Sequence, residues 1–335
     1  MPDPMILPPA AWLKLVRRAL ERSGASAAQA EPTARALVSA EADGQAGHGL
    51  SRVPSYAAQL RSGKVAARAE PRLERLSPAA VRIDAAHGFA YPALELAAEA
   101  LAASAKRQAV AVAAVRRSHH FGQAGAHVER LAEQGFVALL FGNSPKAMAF
   151  HGGRAQRTGT NPLAFAAPVE GRPPLVVDLA LSTVARGRIV AAQKAGRAIP
   201  QGWAVDAAGE PTTDPAAALE GALLPLGGAK GAALALMVEV LAAALTGGAF
   251  GWEASSVLEG EGSAPDLGQT LLALDPGALS GGGFGARMSA LAAAVAEDGA
   301  RLPGDRRLEL RELARARGIA APEALHAEIV ALTQA

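Results

Sequence analysis

The chain has 335 residues, with Lys+Arg 33 against Asp+Glu 31 and a formal net charge of +2. Half of it is hydrophobic (50%), aromatics make up only 4%, and there is no cysteine. Such a composition excludes a disordered chain, and the missing thiols exclude disulfides, thiolate nucleophiles, Cys-ligated zinc and iron–sulfur clusters.

Only six of the bases are lysines, and they are scattered; without a basic stripe interleaved with aromatics, no nucleic-acid partner is expected. The opening MPDPMILPPAAW has no basic region followed by an apolar one, so no secretory signal is read. The apolar stretch Ala232–Leu245 is too short to cross a bilayer and contains Glu239. The expectation is a soluble, cytoplasmic protein.

Along the chain, Trp12, Leu13, Val16 and Leu20 recur at helical spacing, predicting a helix from Pro9 to Ser23. A second helix is expected over Ala27–Ala42, capped by Ser26 and ended by Asp43-Gly44, with Pro32 inside it. A glycine-rich loop, Gly44 to Gly49, leads into a short helix ending at Gly63. Strands are then read at Arg72–Leu76, Ala80–Asp84, Val110–Val115, Phe136–Phe141, Leu163–Ala167, Leu175–Leu179 and Thr270–Asp275. Helices are read at Pro92–Arg107, Ala124–Gln134 and Lys230–Leu245 and through the last fifty residues, while Glu259–Asp266 reads as an exposed loop. The class is α/β with a mixed sheet and helical segments at both ends. The expected division is residues 1–70 as an N-terminal helical segment, 71–300 as an α/β core, and 301–335 as a C-terminal helical segment.

The common catalytic signatures are absent: no G-x-G-x-x-G follows an opening strand, and there is no Walker A loop, H-E-x-x-H or G-x-S-x-G. Histidine carries more information, with only seven in the chain. His48 lies between two glycines, which let a ligand approach the backbone and leave the imidazole free to exchange a proton. Arg52, four residues on, suits a carboxylate clamp on the same pocket. In Ser118-His119-His120-Phe121-Gly122, at the end of a strand and before a helix, His120 is a pocket residue and His119 a structural neighbour; adjacent histidines diverge, so no metal site is expected. Thr160, in the turn Gly159-Thr160-Asn161-Pro162, offers a donor to a substrate carboxylate. Pro225 to Gly231 places Lys230 at the start of an apolar helix, an anion-binding arrangement.

Seven blocks in order resemble the second, non-Rossmann family of malate/lactate dehydrogenases. They are the Gly-His-Gly…Arg loop at 47–52, SHHFG at 118–122, GTNPLAF at 159–165, DLALS at 178–182, IPQGWAVDAAGEPTTDP at 199–215, PLGGAKG at 225–231 and RLPGDRR at 301–307. The resemblance implies a homodimer that binds NADPH or NADH, with NADPH the favoured one, on an unusual mixed sheet, and acts on a small carboxylate substrate. Carried over position by position, His48 matches the proton donor or acceptor, a role that some members give to the counterpart of His120. Arg52 and Thr160 match substrate contacts. His120, Phe121, Gly122, Gln123, Ala124, Asp178, Leu179, Ala180, Ala229, Lys230, Gly304, Asp305 and Arg306 match the nucleotide site.

Within the family, HGFAYPAL at 87–94 and GARLPGDRR at 299–307 look most like the cyclic imino acid reductases. That likeness implies reduction of Δ1-pyrroline-2-carboxylate or Δ1-piperideine-2-carboxylate to L-proline or L-pipecolate. The alternatives are 2-hydroxy acid dehydrogenation of the malate, lactate or ureidoglycolate type, and a catalytically impaired nucleotide-binding relative. Those reductases carry a serine before the loop histidine and an aspartate after Ala-x-Gly; here the two positions are Gly47 and Arg188. A Ser–His–Asp relay cannot form from them, and Arg188 is expected to bring a cation near the pocket that lowers the His48 pKa.

Overall fold

The structure is a computed structural model that describes residues 4–334. Its centre is a seven-stranded mixed sheet. In spatial order the strands are Arg72–Ser77, Ala80–Asp84, Val110–Ser118, Leu267–Leu274, Val137–Gly142, Leu163–Val169 and Arg172–Leu179. Only Ala80–Asp84 and Val110–Ser118 run parallel, joined by the helix Ala90–Gln108; the other neighbours are antiparallel. A parallel pair needs such a crossover, whereas antiparallel strands can be joined by short turns.

Alanine explains how the layers fit together. Ala111, Ala113 and Val115 face one side of the Val110–Ser118 strand and are buried against Ala93, Leu94, Ala97 and Leu101 of the crossover helix. Small side chains at facing positions let helix and sheet approach closely without voids, so a core with few aromatics still fills. The helix Ala124–Ala132 completes this layer through Val128 and Leu131. On the opposite face lies the helix Ala229–Glu239, continued by a π turn at Val240–Ala244.

Several elements escaped the sequence reading. A five-stranded sheet of two- and three-residue strands, ordered Pro211–Thr212, Ala204–Val205, Ala222–Leu223, Met148–Ala149 and Gln156–Thr158, is too short to leave a periodic pattern. The strand Met5–Leu7 pairs with Ile319–Ala321 across the whole length of the chain. This pairing and the Trp12 Nε1–H donated to the Ile319 carbonyl at 3.0 Å tie the N-terminal helices to the C-terminal segment, and the two share one core. Ser26 occupies the N-cap of Ala27–Ala42, but its side chain makes no capping bond; its carbonyl accepts from Gln29 and Ala30 instead. Among the described residues, no helix is long and apolar enough to cross a membrane.

Candidate functional site

Two short 3₁₀ turns, Ala46–His48 and Leu50–Arg52, shape the glycine-rich loop. Their position is held from both ends. Glu41 accepts the Leu50 N–H at 2.7 Å, while Asp43, whose side chain is fully buried, takes hydrogen bonds from Gln123, Arg307 and Arg311. Arg52 folds back so that its Nε–H donates to the Gly47 carbonyl at 2.7 Å. Its Nη1 is buried and has no partner among the described residues. A charged donor left unsatisfied in this way calls for an anionic acceptor from a ligand.

The two histidines singled out from the sequence meet. His48 Nδ1 lies 3.1 Å from His120 Nε2, with the rings stacked at a centroid separation of 5.2 Å. Burial and the Arg52 cation lower His48 to about 4. Burial, with Arg52 and His48 adding to it, holds His120 well below its ordinary value. Both imidazoles are therefore neutral near pH 7, and a neutral pair can donate from one ring and accept on the other. His119 turns away: its Nε2 sits 2.7 Å from Gln59 Oε1, and its ring packs edge-on against Tyr56 and Phe89.

Around this pair opens a cleft of about 440 Å³, lined by His48, Arg52, His120, Phe121, Gly122 and Thr160 together with further residues. A volume of this size suits a small-molecule ligand. Apolar walls come from Phe121, Pro145, Ala147, Pro162 and Leu267, and polar ones from Asn143, Ser144 and Gln156. Besides Arg52, the cations Lys146 and Arg186 line it, against the single carboxylate of Glu259. Arg186 thus takes the place expected for Arg188, which is exposed and does not line the cleft; on the helix Arg186–Lys194, residues two apart point to different faces. The cation that acts on His48 is Arg52.

Thr160 is positioned by its neighbours. Its N–H donates to Ser144 Oγ at 3.1 Å, and its carbonyl accepts from Leu181. Asn161, fully buried at a positive φ of 41°, donates its amide to Glu239 Oε1 at 3.0 Å. Glu239 also accepts from Gly251 N–H at 3.2 Å, so the charge that interrupts the apolar helix is the post from which two cleft-forming loops hang. Gly159 has to be glycine, since a Cβ there would come within 2.2 Å of the Ser144 carbonyl oxygen.

The remaining expected residues lie farther out. Gln123 is buried and donates to Asp43 at 3.0 Å, but its Oε1 has no partner. Ala124 begins the following helix, whose Gly125 N–H is accepted by Asp178 at 2.7 Å; burial raises the Asp178 pKa. Leu179 and Ala180 are exposed beside it. Gly304 packs against Val176 of the same strand, Asp305 pairs with Arg172, and Arg306 is exposed. Ala229 and Lys230 are exposed at the start of their helix and are not among the residues that line the cleft. Their segment is nevertheless tied to the Asp178 strand, because Leu226 N–H donates to the Leu181 carbonyl. Sequence reasoning missed Tyr56, whose hydroxyl lies 2.6 Å from His120 Nδ1, and Tyr91, 3.2 Å from Tyr56. Tyr56 falls one helical turn after Arg52, a spacing that could have signalled it.

Comparisons with known proteins bear on the family and the fold. A family model described as malate/L-lactate dehydrogenase matches residues 8–330. A (2R)-3-sulfolactate dehydrogenase (NADP(+)) from Chromohalobacter salexigens is 50% identical over 311 residues, covering 93% of each chain. A Δ1-pyrroline-2-carboxylate/Δ1-piperideine-2-carboxylate reductase from Pseudomonas putida is 44% identical over 311 residues, 92% of this chain and 91% of that one. The crystal structure of Δ1-piperideine-2-carboxylate reductase from Pseudomonas syringae pv. tomato superposes with a TM-score of 0.93 at 42% identity, covering 98% of this chain and 99% of the other. The chain belongs to the malate/L-lactate dehydrogenase family and is an NAD(P)-dependent oxidoreductase.

Proposed function

We propose that the protein interconverts a small 2-oxo acid and its 2-hydroxy acid, with preference for a substrate that carries a second anionic group such as a sulfonate or carboxylate. The observation that carries this reading is the charge of the cleft: Arg52 with its orphaned Nη1, Lys146 and Arg186 face one carboxylate. One cation suffices for the 2-carboxylate; the others favour a second negative charge. The 50% identity to an enzyme named for sulfolactate supports it. So does Gly47, at the position where the resemblance implies a serine in the imino acid reductases.

The chain has groups suited to the cofactor. Gln123 Oε1 is a buried acceptor without a partner, right after the cleft-lining His120–Gly122 turn, and suits an amide donor. Asp178, beside the exposed Leu179 and Ala180, offers a carboxylate to a ribose hydroxyl. When bound, NAD(P)H supplies hydride to the substrate carbon. Arg52 and Thr160 fix the carboxylate, which makes the reaction effectively intramolecular. His48 presents its Nε2 to the cleft and gives its proton to the forming alkoxide, or removes it in the reverse direction, while His120 exchanges a proton with its Nδ1. Replacement by His48→Ala should lower kcat by about 10²-fold or more while leaving NADPH binding, followed by tryptophan fluorescence, intact.

The second reading, reduction of cyclic 2-imino acids, is favoured by relatives of 38–44% identity named for that activity. A panel of sulfopyruvate, oxaloacetate, pyruvate, Δ1-pyrroline-2-carboxylate and Δ1-piperideine-2-carboxylate, each with NADPH and NADH, separates the two. The dianionic oxo acids should give the highest kcat/KM, and an imino acid exceeding them all would select the second reading. Because a Cβ at Gly47 meets no atom within 4 Å, Gly47→Ser is a clean probe of that alternative and should raise imino acid turnover if it holds. We further propose that two copies associate through the exposed apolar side of the helix that begins at Ala229.

A further inference from the structure

We propose that the histidine pair is served by a proton wire that leads away from the substrate cleft, through Tyr56 and Tyr91, to a second cavity; this rests on the 2-oxo acid reading. The contacts are continuous. His48 Nδ1 meets His120 Nε2 at 3.1 Å, His120 Nδ1 meets the Tyr56 hydroxyl at 2.6 Å, and Tyr56 meets the Tyr91 hydroxyl at 3.2 Å. Tyr91, whose hydroxyl packs beside Gly122, is also one of the residues that line a cavity of about 250 Å³, with Ser39, Glu95, His127 and Arg130 among its other walls, that shares no lining residue with the cleft. Both tyrosines are fully or almost fully buried, and among the described residues their hydroxyls bond only within this chain of four groups. Packing alone would be served by phenylalanine, since a buried hydroxyl is costly unless bonded.

Each member holds one mobile proton and can both donate and accept. In one polarity Tyr91 donates to Tyr56, Tyr56 to His120 Nδ1, and His120 Nε2–H to His48 Nδ1, so that His48 carries its proton on Nε2 in the cleft. When that proton passes to the substrate, each group takes one from the group behind it and Tyr91 takes one from water in the second cavity. The pair then stands in the opposite polarity, with a bare Nε2 facing the cleft, and no group along the line has held a net charge. After product leaves, cleft water restores a proton to Nε2 and the shift runs backwards, returning one to the second cavity. The wire supplies a proton while the filled cleft is closed to water.

Tyr91→Phe removes one hydroxyl and keeps the ring. It should lower kcat about tenfold with KM unchanged within twofold, and should turn a bowed dependence of kcat on D2O fraction into a straight line. Ser39→Leu, which fills the second cavity from a half-buried position, should lower kcat in the same direction. Wild-type kcat and D2O dependence in Tyr91→Phe would overturn the wire, and unchanged kcat in Ser39→Leu would remove the cavity from it. A readout without turnover is the ¹⁵N spectrum of the histidines in the ligand-free protein. Tyr91→Phe should shift the His120 ring nitrogens, and an unchanged spectrum counts against the proposal. Failure of the proposed 2-oxo acid reading itself would show differently, as wild-type protein inactive on every oxo acid of the panel with the spectral linkage intact.

Discussion

Arg52 shows how one side chain can hold two roles at once. Its Nε–H is spent on Gly47, which fixes the shape of the loop, and its Nη1 is left for an anion. Arg52→Met keeps the length and removes both, so kcat/KM for the acid should fall by about 10- to 100-fold, as for loss of a charged hydrogen bond, when measured by steady-state kinetics. The same cation helps keep His48 neutral, which has a consequence for stability. The folded value is about 4 against an ordinary 6.5, so below pH 6.5 the unfolded chain takes up a proton that the folded one resists. Stability is therefore full above pH 6.5 and declines as pH falls towards 4. Urea midpoints at pH 7.5 and pH 5 should show the loss, and His48→Gln should diminish it. That His48 and Arg52 share one cleft was legible from Gly-His-Gly and a four-residue spacing. The identity of the partner was not, because His120 is 72 residues away and only folding brings it within 3.1 Å.

At the scale of elements, the loop that carries His48 is braced by a buried network. Asp43 ends the helix Ala27–Ala42, Glu129 lies on Ala124–Ala132, and Arg307 and Arg311 project from Asp305–Arg317. Arg307 contacts Asp43 at 3.1 Å and Glu129 at 2.7 Å, and Arg311 contacts both at 2.7 and 2.9 Å. Burial pushes Glu129 up, but the two guanidiniums outweigh it and hold the carboxyl below its ordinary value. Removing one member leaves buried charge uncompensated. Arg307→Ala should cost about 3–5 kcal/mol in urea unfolding, and its loss of turnover should exceed the loss of folded protein because the loop is freed as well. Most elements were readable from periodicity: the strand Ala80–Asp84 and the helix Ala27–Ala42 have the expected ends. Strands of two or three residues were not, since their pairing partners, rather than their own pattern, make them strands.

For the whole molecule, the helix Ala229–Glu239 and its π continuation are apolar on both faces between Lys230 at the start and the buried Glu239. Gly231, Ala232, Ala235 and Val238 face the core, while Leu236 (50% exposed), Met237 and Val240 (53% exposed) face outward. It is through this face that we propose two copies associate. The pair Leu236→Glu and Val240→Asp should therefore convert a dimer to monomers in light scattering, with helical content unchanged. Dimeric behaviour of the double variant would place the contact elsewhere.

By itself, the amino-acid sequence determined the chemistry open to this protein. The absence of cysteine excluded thiolate and Cys-ligated metal chemistry, and the hydrophobic periodicity already implied an α/β chain with a mixed sheet. The ordered motifs carried the family because each keeps local backbone geometry that a short peptide records. Only the tertiary structure decided which of these groups meet: the stacked histidines, the tyrosines behind them, Arg186 rather than Arg188 at the cleft, and Glu239 holding two loops. The reason is physical. Those arrangements depend on contacts between residues tens to hundreds of positions apart, and on burial that shifts the histidines to their neutral form. Neither quantity is written in any local stretch of the chain.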